Sequence, residues 1–161
     1  MDEIAELTKF YPHFADGRID YTNERVCPVI NCTVLCGNEV LLAYRSAEVI
    51  AYPETWNGIS GFIDELQPLE SIIKEELLRE VNIHEEDIKG ISLFDKLIQE
   101  DEAINREWHV YPMLVELKRK PLVKTNWEHK EAKWVAKDKV LKLALMPFYA
   151  ETFKIVMEGR L

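Results

Sequence analysis

Apolar residues crowd into "VCPVINCTVLC", residues 26–36, and return as "EVLLAYR", residues 39–45, after the pair Gly37 and Asn38. Two apolar runs broken by a Gly-Asn pair predict a β-hairpin, and the scarcity of charge within them places it in the core. The pattern then changes period. Between Pro68 and Val81, the apolar residues Leu69, Ile72, Ile73, Leu77 and Val81 recur at helical spacing, which predicts a helix over about 68–81. Pro68 suits its first turn, and Asn82, which tolerates a left-handed backbone better than any residue but glycine, is placed to end it.

Around these two landmarks the chain predicts a short N-terminal helix over 2–10, within an extension of residues 1–24, and a loop at "SAEVIAYPETWNG" before the strand "ISGFI". "GISLFDKLIQED" and "REWHVYPMLVELK" read as two strands joined by the polar turn "EDEAIN", and "EAKWVA" as another. "KDKVLKLAL" and "PFYAETFKIVMEG" read as closing helices. No Gly/Ser-rich linker or repeat intervenes, so residues 1–161 are expected to form a single domain. Strands with helices inserted irregularly favour an α/β mixed sheet covered by helices over a doubly wound parallel one.

Composition narrows the function classes. A formal charge of -9 disfavours unaided binding to nucleic acid or to an anionic membrane, so a phosphate-handling role would require metal ions as intermediaries. No apolar run approaches the roughly 18 residues of a spanning helix, and "MDEIAELTKFYPHF" lacks the basic-then-apolar order of a leader. The expectation is a cytoplasmic protein. Cys27, Cys32 and Cys36 match neither a zinc pair nor a disulfide framework and read as reduced, buried thiols.

The helix over 68–81 carries the candidate chemistry. With Ile72 at zero on a helical wheel, the apolar stripe runs to Val81 at about 180°, and Glu76 and Glu80 fall inside it at about 40° and 80°. Like charges four residues apart repel, and burying an unpaired carboxylate costs several kcal/mol, so the two require a cation or neutralisation. A hard divalent ion such as Mg²⁺ would satisfy both. Glu75 and Arg79 lie together at the border of the stripe, acid before base, and are expected to form a supporting ion pair.

From Gly61 to Ile83 the chain resembles the Nudix box: Gly, five residues, Glu, seven residues, Arg-Glu, an aliphatic, any residue, Glu-Glu, any residue, Gly and an aliphatic. Gly61, Glu76, Leu77, Glu80 and Ile83 match; Gln67, Glu75, Arg79 and Asn82 depart. The family's arginine and the glutamate four residues later can pair, and Glu75 with Arg79 would restore that pair with reversed polarity. "LLAYRS", "ETWNGISGFI", "WHVYPMLVELK" and "NWEHKEAKWVAKDKV" look like the segments that flank the box, so the resemblance covers most of the chain.

The resemblance implies a Nudix-type α/β/α sandwich with a mixed β-sheet between helices. It implies hydrolysis of a nucleoside diphosphate linked to another moiety, with Glu76 and Glu80 as catalytic ligands of Mg²⁺ or Mn²⁺ and the Gly61 carbonyl as a further ligand. Similar proteins often draw another acid from beyond the box, for which Glu128 and Glu131 are the candidates. Arg45 is a candidate phosphate clamp, or half of a surface ion pair. Tyr52 and Trp56 are candidates to stack on a base, or to plug the core. The expected partner is a small nucleotide or diphosphate, and since similar proteins are often dimers, a homodimer is compatible with the resemblance. Two other readings stay open: a binding or regulatory module that has lost turnover, which Gln67 and Arg79 favour, and an isopentenyl diphosphate isomerase-like enzyme, whose cysteine would be expected near Ser60.

Overall fold

The hairpin forms, and it becomes the middle of the sheet. The computed structural model describes residues 2–49, 52–127 and 129–161. Strand β1 (Val26–Cys36) turns through Gly37, at φ +60°, into β2 (Glu39–Arg45). β1 changes partner along its length: Val34 to Cys36 pair with β2, whereas Val29 to Cys32 pair antiparallel with β4 (Ile59–Phe62). On its other edge β7 (Arg106–Leu117) runs parallel to it, from Val26 opposite Glu107 to Leu35 opposite Glu116.

The sheet grows outward from these strands. β3 (Trp56–Asn57) and β8 (His129–Ala136) pair with β2, while β5 (Ile88–Leu93) and β6 (Leu97–Asp101) pair in turn with β7, giving one mixed sheet of eight strands. Alternation along β1 sends Ile30, Cys32 and Val34 to one face and Val29 and Leu35 to the other. The first face is covered by α2 (Leu69–Val81), through Ile72, Ile73, Leu77 and Val81, and by Ile4 of α1 (Asp2–Leu7). The second is covered by α3 (Tyr149–Val156), through Tyr149, Phe153 and Val156. Each such fully buried aliphatic side chain contributes about 1.5–3 kcal/mol. Helices on both faces of a mixed sheet make an α/β/α sandwich.

Three sequence expectations need correction. "GISLFDKLIQED" is not one strand: it divides into β5 and β6, because Pro112 of β7 has no N–H to continue the ladder and only its carbonyl is used, by the Phe94 N–H at 3.1 Å. The loop before β4 contains a strand, since Trp56 and Asn57 pair with Tyr44 and Ala43. "KDKVLKLAL" forms only a 3₁₀ turn, Lys137–Lys142, and then extends, because Ala144 and Met146 exchange backbone hydrogen bonds with Trp56 at 2.9 and 2.8 Å.

The N-terminal extension packs against the end of β4: the Tyr21 hydroxyl donates to the Ile63 carbonyl at 2.6 Å, and the Ile19 N–H donates to Asp64 at 2.9 Å. The three cysteines are free thiols, with Cys27 and Cys32 buried. Among the described residues, no helix is long and apolar enough to cross a membrane.

Candidate functional site

α2 holds its acids where the helical wheel puts them. It starts after Pro68 and stops at Asn82, whose φ of 59° and ψ of 37° are left-handed and whose cap closes onto the Leu77 and Leu78 carbonyls. Glu80 is fully buried, at 0% exposure, and the Glu76 side chain is 15% exposed, while Glu75 faces solvent. Periodicity alone therefore separates the inward acids from the outward one.

The Gly61 backbone in β4 lies directly against Glu76. A Cβ there would stand 3.0 Å from Glu76 Cδ, 3.1 Å from Oε2 and 3.2 Å from Oε1, so the missing side chain is the space the carboxylate occupies. Gly58 is held by a different constraint: a Cβ would lie 2.2 Å from the Cys32 carbonyl oxygen. Beside it, Asn57 is buried and joins the strands, accepting from Asn31 Nδ2 at 3.1 Å and donating to Ser60 Oγ at 3.0 Å.

The expected ion pair is rearranged. Arg79 reaches Glu76 and Glu80 rather than Glu75: its Nη2 lies 2.5 Å from Glu76 Oε2 and 3.3 Å from Glu80 Oε1. Spacing of three is as close on a helix as spacing of four, and a carboxylate in a low-dielectric setting attracts a cation more strongly than a solvated one. Glu75 instead accepts from Gln67 Nε2 at 3.4 Å. Arg79 also acts on Asp64: burial raises the Asp64 carboxyl above its ordinary value, and the Arg18 and Arg79 guanidiniums oppose that rise. Arg18 Nη1 is 3.6 Å from Asp64 Oδ2.

On the opposite side of β4, Gly61 contributes to a cavity of about 120 Å³ walled by Phe62, Trp108, Met146 and Phe148, with Arg45 and Tyr52 also lining it. Tyr52 is anchored through its hydroxyl. At φ 51°, it donates its hydroxyl to Asp101 Oδ2 at 2.5 Å and accepts from Trp108 Nε1 at 3.0 Å. Burial, chiefly, and the Asp101 contact push its phenol up to about 12. Trp56 is not among the lining residues: its ring packs on Tyr44, centroids 4.9 Å apart, and lies under Lys133 Nζ at 4.3 Å. A larger cleft, of about 450 Å³, lies between the N-terminal extension and the loop before α2, and includes Arg18, Asp64 and Gln67.

Of the acids beyond the helix, Glu131 is exposed on β8 opposite Tyr44, and among the described residues it does not join Glu76 and Glu80 in a cluster of potential metal ligands. Glu128 lies outside the described residues. His129 is buried opposite Arg45. Trp108 is a cavity wall; Trp108, Asp101 and Phe148 meet Tyr52 only through tertiary structure, and nothing in their local sequence announces it. Asp64 had one signal, its place directly after the strand that carries Gly61.

The donor set suits a hard divalent ion. One nitrogen touches both carboxylates, so a single cation at that point would reach both, and Mg²⁺ takes one or two carboxylates and completes its shell with water and phosphate oxygens. The Gly61 cradle keeps one of those carboxylates in place. Among the described residues, no three His, Cys, Asp or Glu side chains gather as a metal site.

The same arrangement of strands and helices recurs in solved structures. The Nudix domain of Shewanella oneidensis NrtR, crystallised with ADP ribose, superposes with a TM-score of 0.71 at 15% identity, covering 96% of this chain and 97% of that one. The chain has the Nudix fold. A Nudix hydrolase (MutT) from Burkholderia pseudomallei gives a TM-score of 0.68 at 17% identity over 83% of this chain and 99% of that one. A Caenorhabditis elegans Ap4A hydrolase gives 0.65 at 18% identity over 83% and 96%. No family model and no curated protein matches the sequence. In this Nudix fold the helix bearing Glu76 and Glu80 is the one that carries the box-like segment, and Arg79 stands at one of the box's acidic positions.

Proposed function

We propose that the protein hydrolyses a phosphoanhydride bond in a nucleoside diphosphate linked to another moiety. The observation that carries this reading is the double role of Gly61, which lines the aromatic cavity and backs the Glu76 carboxylate, so that acids and cavity adjoin across one residue. Glu76 and Glu80 hold Mg²⁺ or Mn²⁺, with the Gly61 carbonyl as a further donor. A divalent ion there supplies charge neutralisation for the diphosphate and a lowered pKa for the attacking water. The cavity of about 120 Å³ is smaller than a whole-ligand pocket of roughly 300 Å³ or more, so it receives one ring of the substrate, against Phe62, Trp108 and Phe148. Arg45, at the rim, binds phosphate.

ADP-ribose and Ap4A belong on the substrate panel because one similar structure is a complex with ADP ribose and another is of an Ap4A hydrolase. Nucleotide sugars and nucleoside triphosphates complete it, each assayed with Mg²⁺, with Mn²⁺ and with chelator, alongside Glu80→Gln. Metal-dependent turnover lost in Glu80→Gln is the expected result; turnover indifferent to Glu80→Gln would remove the site assignment.

A second reading is a nucleotide-binding module without turnover, and the observation favouring it is the Arg79 contact with both acids. Binding of a panel compound with no hydrolysis under any metal condition would select it. The isomerase-like reading gains nothing: the Ser60 hydroxyl accepts from Asn57, and no cysteine is near it in sequence.

A further inference from the structure

We propose that Arg79 is a built-in competitor for the metal: its guanidinium serves as the counter-cation of Glu76 and Glu80, and a divalent ion binds by displacing it. This rests on the reading that those two acids hold the metal.

The geometry gives the competition its form. Arg79 Nη2 contacts both carboxylates, at 2.5 and 3.3 Å, and so stands at the point from which one ion would reach both. The exchange is physically open on one side only. Glu80 is fully buried and cannot turn to water, whereas half of the Arg79 side chain is exposed, so the arginine is the member that leaves. Its long stem lets the charged head reach solvent without moving the backbone.

Without a cation between them, two inward carboxylates would repel one another in a low-dielectric setting; with Arg79 there, the metal-free protein avoids that cost. The consequence for binding is a penalty, because each metal ion must replace charge-assisted hydrogen bonds before it gains its own. A box with a third acid at this position would add a ligand. This chain places a cation there instead, and metal affinity falls on both counts.

The displaced guanidinium has a second destination. A substrate diphosphate brought beside Gly61, which backs the Glu76 carboxylate that Arg79 contacts, would bring negative charge toward the guanidinium, and a planar guanidinium pairs well with phosphate. Diphosphate therefore strengthens metal binding by holding Arg79 away from the acids.

The test is a Mn²⁺ titration followed by the electron paramagnetic resonance signal of free Mn²⁺, with circular dichroism to verify folding. The variants are wild type, Arg79→Gln, Arg79→Lys and Glu80→Gln, each with and without inorganic pyrophosphate in a parallel series corrected for its own Mn²⁺ binding. Arg79→Gln should bind about tenfold more tightly than wild type, a difference of about 1.4 kcal/mol, and Arg79→Lys should lie between them. Pyrophosphate should tighten wild type more than Arg79→Gln. Binding seen only in Arg79→Gln would also support the proposal. If Glu80→Gln weakens binding while neither arginine variant strengthens it, the competition is refuted and the metal site stands. If Glu80→Gln leaves binding unchanged, or no variant binds, the metal site itself is refuted.

Discussion

Helix α2 and the aromatic cavity meet at Gly61, yet they are built in opposite ways. The helix carries Glu76, Arg79 and Glu80 within little more than one turn, and its own periodicity decides which of them face inward. The cavity takes Arg45, Tyr52, Phe62, Trp108 and Phe148 from separate strands and loops, held by contacts distant in sequence. Charge placement is thus a local property here, and shape a global one. Substitutions in the helix should change chemistry while sparing stability, and those in the cavity wall should do the reverse.

Glu80→Gln should break the comparison most visibly if it is wrong. Turnover should fall roughly a hundredfold or more, the scale on which one transition-state charge stabiliser acts. Thermal stability should be unchanged or higher, because Gln keeps the shape, removes a buried charge, and leaves behind an arginine that can reach water. A lower melting temperature with normal turnover would make Glu80 structural.

Gly61→Ala comes next, since it strikes the junction. The added methyl must push the Glu76 carboxylate from its 3.0 Å approach, and kcat should fall about tenfold, with overpacking costing about 1–3 kcal/mol. Normal kinetics in a destabilised protein would separate Gly61 from the acids.

Tyr52→Phe tests the wall. Trp108 loses its acceptor and Asp101 its donor, which should cost about 1–3 kcal/mol of stability and raise KM with little change in kcat. A kcat loss as large as that of Glu80→Gln would mean that the wall takes part in the chemistry.

The smallest effect is at Asp64. Its folded-state pKa is raised by burial above the ordinary 3.8, so its protonated form is favoured in the folded protein. Such a group adds stability below its unfolded pKa and loses it as pH rises through the folded value. Across that acid window the melting temperature of wild type should fall relative to Asp64→Asn, by no more than about 4 °C. A fall in the opposite direction would show that the Arg18 pair outweighs desolvation.

The same division explains what the sequence disclosed. The hairpin at 26–45, helix α2, its Asn82 cap and the inward direction of Glu76 and Glu80 were all legible, because each follows from a period or a turn residue. The partner of Arg79 was not. A wheel places Arg79 beside Glu75, but it carries no dielectric, and burial of Glu76 and Glu80 decides which carboxylate wins the cation. Nor did the Tyr52, Asp101 and Trp108 contacts show, since they join residues that only the sheet brings together. The split of β5 from β6 has its sequence signal in Pro112 of the neighbouring strand, which acts only once the two strands are paired. The strand register turns the Trp56 ring to Tyr44 and Lys133, contacts that its local sequence does not show.

The central claim is that Glu76 and Glu80 together hold a divalent ion at the point Arg79 Nη2 marks. Anomalous diffraction from crystals grown with Mn²⁺ and methylene diphosphonate tests it most directly. The account predicts a peak within ligand distance of carboxylate oxygens of both residues, with Arg79 swung out toward the phosphonate. Arg79 still bridging the two acids, with Mn²⁺ elsewhere or absent, would contradict it.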